Sequence, residues 1–320
     1  MNPILHRFAL CLFAACLTWP AAAENAPSGG KAAGADAAKA RDYVRYVGDD
    51  KRGRLETVVV TMKKDGVTVE LIGAVHVADA EYYKTLTKLF AGYEELLFEL
   101  VDGQRLKADF EGAAKGPASR PDAADAGEKS VAIKLIGSMM RGVGSYFRFQ
   151  YQTEGIDYHT KNFVHADVSM DEFVRLQGDR GETFTDLIWK AMAAQADIGP
   201  HRETEPKGSQ LLLALLGDSS GLKVAMARQL GVADELVAAM EHGGESVIIS
   251  DRNKKALEVF DREVAAGRAN LGIFYGAAHL GDMEDRLVKK GFQRTGERWL
   301  TAWDIKPRVD ELSKPAAPAE

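Results

Sequence analysis

The chain has 320 residues, 41 Lys and Arg against 47 Asp and Glu, and a formal net charge of −6. That acidic balance argues against nucleic acid as a partner, and the two cysteines, Cys11 and Cys16, both lie near the N-terminus, which excludes disulfides and cysteine metal sites from the body of the chain. The length suits one large domain or two small ones.

The opening "MNPILHRFALCLFAACLTWPAAAEN" carries Arg7, an apolar run from Phe8 to Trp19, and then Ala21, Ala22 and Ala23. This is the pattern of a secretory signal with an Ala-x-Ala cleavage site, so residues 1–23 are expected to be removed and the product to be periplasmic or secreted. No second apolar stretch is long enough to span a bilayer. An alternative takes "FAAC" as a lipoprotein signal with Cys16 acylated, although Phe13 is an unusual residue three before such a cysteine. Residues 24–40 and 307–320, rich in Ala, Gly, Lys and Pro without periodicity, read as a disordered linker and tail. The folded domain is then 41–306.

That domain opens on "ETVVVTMKKDGVTVELIGAVHV", two β-rich runs around Lys-Asp-Gly, which predicts a hairpin. Asp79 is placed to cap a helix over 80–90, and "ELLFELV" reads as a short apolar strand. Residues 103–130, rich in Ala, Gly, Pro and charge, read as a mobile loop. In 131–151, Lys134, Arg141 and Arg148 recur every seven residues, which keeps them near one stripe of a helix. "KNFVHADVS" is a short strand, and "MDEFVRLQ", "TFTDLIWKAMAAQ", "SQLLLALL", "GLKVAMARQLG" and "ADELVAAMEHG" are helical by pattern, giving a helical insertion over 131–243. A helix beginning at Ser250 or Asp251, the strand "LGIFYGAAHL", a helix capped by Asp282 with a stop at Gly291, and a closing hairpin in "FQRTGERWLTAWDI" complete the chain. The expected fold is α/β: a mixed central sheet built from two pseudo-repeated strand-GxxH-helix units, with a large mainly helical insertion.

The repeat is "GAVHVADAE", residues 73–81, against "GAAHLGDME", residues 276–284, with five of nine positions identical and an apolar run, "VTVELI" or "NLGIFY", before each. By composition alone a Gly three before a His is expected roughly 0.7 times in such a chain, so the first copy carries no weight and the matching second copy does. Gly73 and Gly276 allow sharp turns or close approach at strand ends, and His76 and His279 stand where the chain leaves the sheet, the edge at which α/β sheets bind ligands. Glu99 interrupts an apolar strand of the kind buried on both faces; there an isolated carboxylate costs several kcal/mol and calls for a cation, a metal or a His. A strand that surfaces at Asp102 and Gly103 would remove that demand. Arg252, in "SDRN", is placed to clamp a substrate carboxylate or to neutralise Glu99, or else is a solvated residue at a helix start. His159, His165, His201 and His242 share no ligand-like spacing and read as structural or solvated.

The strand ending in "GAVH", the strand carrying Glu99 in "LLFELV", the "SDRN" helix start and the late strand ending in "GAAH" resemble, in that order, the TraB/GumN family, to which the Tiki membrane proteins are related. The resemblance covers about residues 42–306 and is weak over 103–243. It implies a shared α/β fold with the two Gly-x-x-His turns facing each other. From the Tiki branch it implies a divalent-metal-dependent peptidase, with Mn²⁺, Co²⁺ or Zn²⁺ at His76, His279 and Glu99 and with Arg252 matching a recurrent arginine. Two imidazoles and a carboxylate suit that chemistry, since three ligands leave a position for an activated water, Glu99 being either the third ligand or the base.

Two rivals stand beside this reading. A non-catalytic periplasmic protein binding a peptide or haem would use the same residues. A serine hydrolase would use "GDSSG" as a nucleophile elbow, with Ser219 as nucleophile, Asp251 as acid, His279 as base and "LLLALL" as the preceding strand.

Overall fold

A computed structural model describes residues 41–100, 147–181, 208–215, 217–231 and 247–307. The expected signal segment with Cys16, the expected 24–40 linker and 103–130 loop, Lys134 and Arg141, the helices expected at 183–195 and 233–243, His201, His242 and nearly all of the 307–320 tail lie outside those residues.

The chain is an α/β fold. Strands β1 (Val44–Gly48), β2 (Gly53–Lys64) and β3 (Val67–Ala74) form an antiparallel meander; β1 takes the first half of one edge of β2, and β3 takes the second half. The β2–β3 turn is the expected hairpin, with Asp65 and Gly66 both in left-handed backbone (φ 48° and 83°), as a tight primed turn requires. Beyond β3 the sheet becomes parallel: β8 (Asn270–Gly276), β5 (Glu95–Phe98) and β7 (Phe163–His165) follow in that order. Strand β8 is covered by neighbours on both sides, and Leu271, Ile273, Phe274 and Tyr275 are all buried, which accounts for its unbroken apolar run.

Helix α1 (Ala80–Phe90) buries Tyr82, Tyr83, Leu86 and Phe90, one stripe of a 3.6-residue period. Short β4 (Val77–Ala78) pairs with β6 (Gln150–Tyr151), which leads into the one-turn α2 (Gln152–Gly155). Three further helices follow: α3 (Met170–Arg180), α4 (Gly208–Leu215) and α5 (Ser220–Leu230). A π-helical turn (Val247–Asp251) then runs into α6 (Arg252–Ala265), which packs on β5; α7 (Leu280–Lys289) packs on β3. Among the described residues, no helix is long and apolar enough to cross a membrane.

Several expectations are corrected. The closing segment is one strand, β9 (Gln293–Ile305), pairing with β2 almost throughout. Gly296 does not turn the chain, because two register shifts let β9 follow the twist of β2 without reversing. Asp282 does not cap α7: His279 holds the cap position and Asp282 lies in the first turn. Asp79 does occupy the cap position of α1, but its carboxylate accepts from the Asp304 amide at 2.7 Å instead of from its own helix. Strand β1 had no strong signal and was not expected. Arg148 is exposed in a left-handed turn (φ 58°), so a helical stripe through 131–151 does not continue to its position.

Trp303 fastens the end of β9 to the segment after His76. Its indole N–H donates to the Val77 carbonyl at 2.8 Å, and its ring stacks on Phe149 at 4.5 Å between centroids. Trp303→Ala is expected to cost about 3–5 kcal/mol, measured by urea unfolding, with the slope against denaturant unchanged.

Candidate functional site

The C-terminal ends of the parallel strands β3, β8, β5 and β7 lie side by side, and the chain leaves this edge through His76, His279, Glu99 and Asp167. Glu99 is the first residue after β5. It lies beyond the strand and is nonetheless buried at 9% exposure, so the surfacing alternative is overturned. Its two oxygens are separately engaged: Oε1 accepts from Arg252 Nη2 at 2.6 Å, and Oε2 accepts from the Gly276 amide at 2.6 Å.

Arg252 is the first residue of α6 and is 8% exposed, which removes the solvated reading. Its guanidinium also grips Asp167, with Nε donating to Oδ1 at 2.9 Å and Nη2 to Oδ2 at 2.7 Å. Asp167 in turn accepts from the Val168 amide at 2.8 Å. Two buried carboxylates therefore share one guanidinium, a planar donor fork matched to bidentate carboxylate geometry. Tyr275 closes the far side, donating to the Ala166 carbonyl at 2.5 Å, and its hydroxyl is pushed well above the ordinary tyrosine range by burial and by the Asp167 and Glu99 charges.

The two histidines of the repeat sit differently. His279 ends a 3₁₀ turn (Ala277–His279), is 4% exposed, and packs edge-on against Tyr275 at 5.1 Å. Its Nδ1 lies 2.7 Å from Asn253 Oδ1, and its Nε2 lies 3.7 Å from Glu99 Oε1, too far for a hydrogen bond. His76 is exposed and its Nδ1 is 3.3 Å from Gln152 Oε1, while Gln152 Nε2 donates to Tyr158 at 2.8 Å. The two rings nevertheless converge. A methyl group on Gly276 would stand 3.3 Å from Glu99 Oε2, 3.7 Å from His279 Cδ2 and 3.9 Å from His76 Nε2.

Each motif glycine thus has a steric reason. A side chain at Gly276 would crowd the Glu99 carboxylate that its amide holds. One at Gly73 would press on Leu280 Cδ2 at 3.2 Å and the Val58 carbonyl at 3.3 Å, where the start of α7 crosses β3.

Burial raises the Glu99 pKa, but His279, Arg252, His76 and the Gly276 amide more than reverse this, leaving it lowered to about 2. For His279 burial dominates over the attraction of Glu99 and lowers the ring to about 4. At neutral pH the site therefore presents an ionised carboxylate and a neutral imidazole. These donors suit a divalent ion, although among the described residues no three His, Cys, Asp or Glu side chains form a ready-made ligand set.

Sequence reasoning missed Asp167, Asn253, Gln152, Tyr158 and Tyr275. An acid amid the apolar residues of "FVHADV" was the available signal for Asp167; the others carry none that separates them from ordinary polar or core residues. Of the remaining histidines, His159 is exposed, and His165 Nε2 donates to the Leu100 carbonyl at 2.7 Å. The nucleophile elbow at Ser219 lacks its strand, since 208–215 is helix α4, and Asp251 is engaged by Arg180 at 2.7 Å. The chain matches no family model, no curated protein and no solved structure.

Asp167→Ala strips Arg252 of its bidentate partner, and a loss of about 3 kcal/mol is expected, read by thermal and urea unfolding. Stability should also fall with acid in the metal-free protein. The unfolded chain takes up a proton on His279 below about 6.5 that the folded chain refuses until about 4. Glu99 repeats this from 4.5 down to about 2. In both windows the unfolded state binds more protons, so stability decreases as pH falls. His279→Gln should flatten the upper window, and a wild-type stability constant from about pH 6.5 to 4.5 would contradict a ring buried in the neutral form.

Proposed function

We propose that the chain is an exported, divalent-metal-assisted hydrolase of peptide-like substrates, similar in its site to the TraB/GumN family and the related Tiki proteins. The observation that carries this reading is the facing pair of acceptors: a neutral His279 nitrogen opposite an ionised Glu99 oxygen, 3.7 Å apart, beside a cluster in which two carboxylates share one guanidinium. Such a cluster is one positive charge short of neutrality.

A divalent ion there, Mn²⁺, Co²⁺ or Zn²⁺, would supply Lewis-acid polarisation of a scissile carbonyl and lower the pKa of a bound water towards ~7. His279 and Glu99 would hold it. His76, exposed and with its Nε2 3.9 Å from the position a Gly276 methyl group would take, would complete the set. Glu99 serves as a fixed charge in preference to a base, because Arg252 and the Gly276 amide occupy its oxygens and its pKa is about 2; a general base works best near the operating pH. Arg252 keeps Glu99 ionised and aimed, and Asp167 keeps Arg252 in place. Ser219 takes no part in this arrangement.

Digestion of a peptide library by the purified full chain, with Mn²⁺, Co²⁺ or Zn²⁺ and with chelator, tests the reading by mass spectrometry. Metal-dependent cleavage is expected. His76→Ala, His279→Ala and Glu99→Gln should each lower kcat/KM by at least about 10²-fold, with the triple variant little worse than the singles, as for groups that act as a unit. Folded protein that retains a peptide uncut under every metal would establish the non-catalytic binding alternative, and a Soret band would point that alternative to haem.

A further inference from the structure

Asn253 stands immediately after Arg252, is fully buried, and touches His279 twice. Its Nδ2 donates to the His279 backbone carbonyl at 3.0 Å and to Asp282 Oδ2 at 2.8 Å. Both of those partners are acceptors only at neutral pH, so the amide group has one permitted orientation. Its Oδ1 must then face His279 Nδ1 at 2.7 Å, and a carbonyl oxygen at that distance requires an N–H. Asp282 is itself steadied by Arg286, whose Nε donates to Oδ2 at 2.6 Å. The orientation of one amide is thereby fixed from α7 and imposed on a ring at the start of the same helix.

We infer that Asn253 is a positioning residue: it holds His279 as the Nδ1–H tautomer and so turns a bare Nε2 lone pair toward the Glu99 carboxylate. Without Asn253 the balance reverses. A neutral imidazole beside a carboxylate is best satisfied by placing its proton on the nearer nitrogen, as Nε2–H donating to Glu99 Oε1. That closed pair has no lone pair to offer a cation or a reacting proton. Asn253 thus keeps open a gap that the ring and the carboxylate would otherwise close between themselves, much as the partners behind a metal-binding histidine fix its tautomer. The consequence for turnover rests on the hydrolase reading above, whereas the tautomer does not.

The test is a two-bond proton–nitrogen correlation spectrum of full-length protein carrying nitrogen-15 histidine, at about pH 7.5 and with chelator, the His279 signals being assigned by their loss in His279→Gln. Wild type is expected to show a protonated δ1 and a bare ε2 nitrogen. Asn253→Ala should invert this pattern, and should lower Co²⁺ affinity about 10–100-fold with the circular dichroism spectrum unchanged. If Asn253→Ala fails to fold, the wild-type spectrum alone still decides. An ε2 proton on His279 in the wild type overturns the inference, as does an Asn253→Ala ring that keeps its δ1 proton. The expected tautomers with no peptide cleavage under any metal would remove the hydrolase reading and leave the role of Asn253 standing.

Discussion

A carboxylate cut off from water must have charge and hydrogen bonds brought to it, and at Glu99 these come from the Arg252 guanidinium and the Gly276 amide. Neither partner is local: Arg252 begins α6 and Gly276 ends β8, so Glu99 is tolerable in the core only once β5, β8 and α6 have assembled. Asp167 extends the dependence to the end of β7, since it takes two of the hydrogen bonds that Arg252 donates. Buried ion pairs of this kind rarely repay their desolvation against a well-packed apolar alternative, while breaking one partner out is severely destabilising. The cluster therefore constrains the fold strongly without being an economical way to hold it together. Its geometry is better explained by what it presents at the strand ends than by stability.

The two copies of the nine-residue motif show how little a repeated pattern fixes beyond the backbone turn. Strands β3 and β8 are adjacent and parallel, but Gly276 pairs with Ala74, not with Gly73, so the copies are staggered by one residue. After Gly73 the chain makes a short strand before its helix; after Gly276 it winds at once through a 3₁₀ turn into α7. His76 is consequently left at the surface and His279 is driven into the core. The shared acids diverge as well. Asp79 anchors β9, whereas Asp282 holds Asn253 and Arg286. Glu81 is an exposed partner of Lys84, while Glu284 is buried among Tyr43, Arg41 and Arg294.

Much of the sheet was legible because its signals are short-range. An apolar run covered on both faces announced β8 and β5, Asp65–Gly66 announced a hairpin, and the strand-end glycines announced the turns that carry both histidines. Glu99 could be singled out because a charge in an apolar run is costly wherever the run is buried. What was illegible depended on distant pairing. Gly296 looked like a turn, and only the long opposing strand β2 makes the chain run straight through it. Asp167 and Asn253 gain their meaning from Arg252 and His279, 85 and 26 residues away, a relation that no local pattern encodes. Arg252 was visible as a candidate, but whether it would clamp a substrate or neutralise Glu99 is a matter of geometry, and the structure gives it to Glu99.

Helix α7 sharpens the electrostatics of this edge. The 3₁₀ turn that opens it starts from Gly276, so one helix N-terminus, the positive end of a dipole, begins beside Glu99. That dipole favours the ionised carboxylate and disfavours a protonated His279, the same two directions in which the groups are shifted. A proton is thus kept off both of the groups that would most readily share one. What is left at neutral pH is a nitrogen lone pair and an anion facing each other across 3.7 Å, with Arg252 already committed to two carboxylates. On the hydrolase reading proposed above, a divalent ion that takes one nitrogen and one oxygen donor would relieve that confrontation.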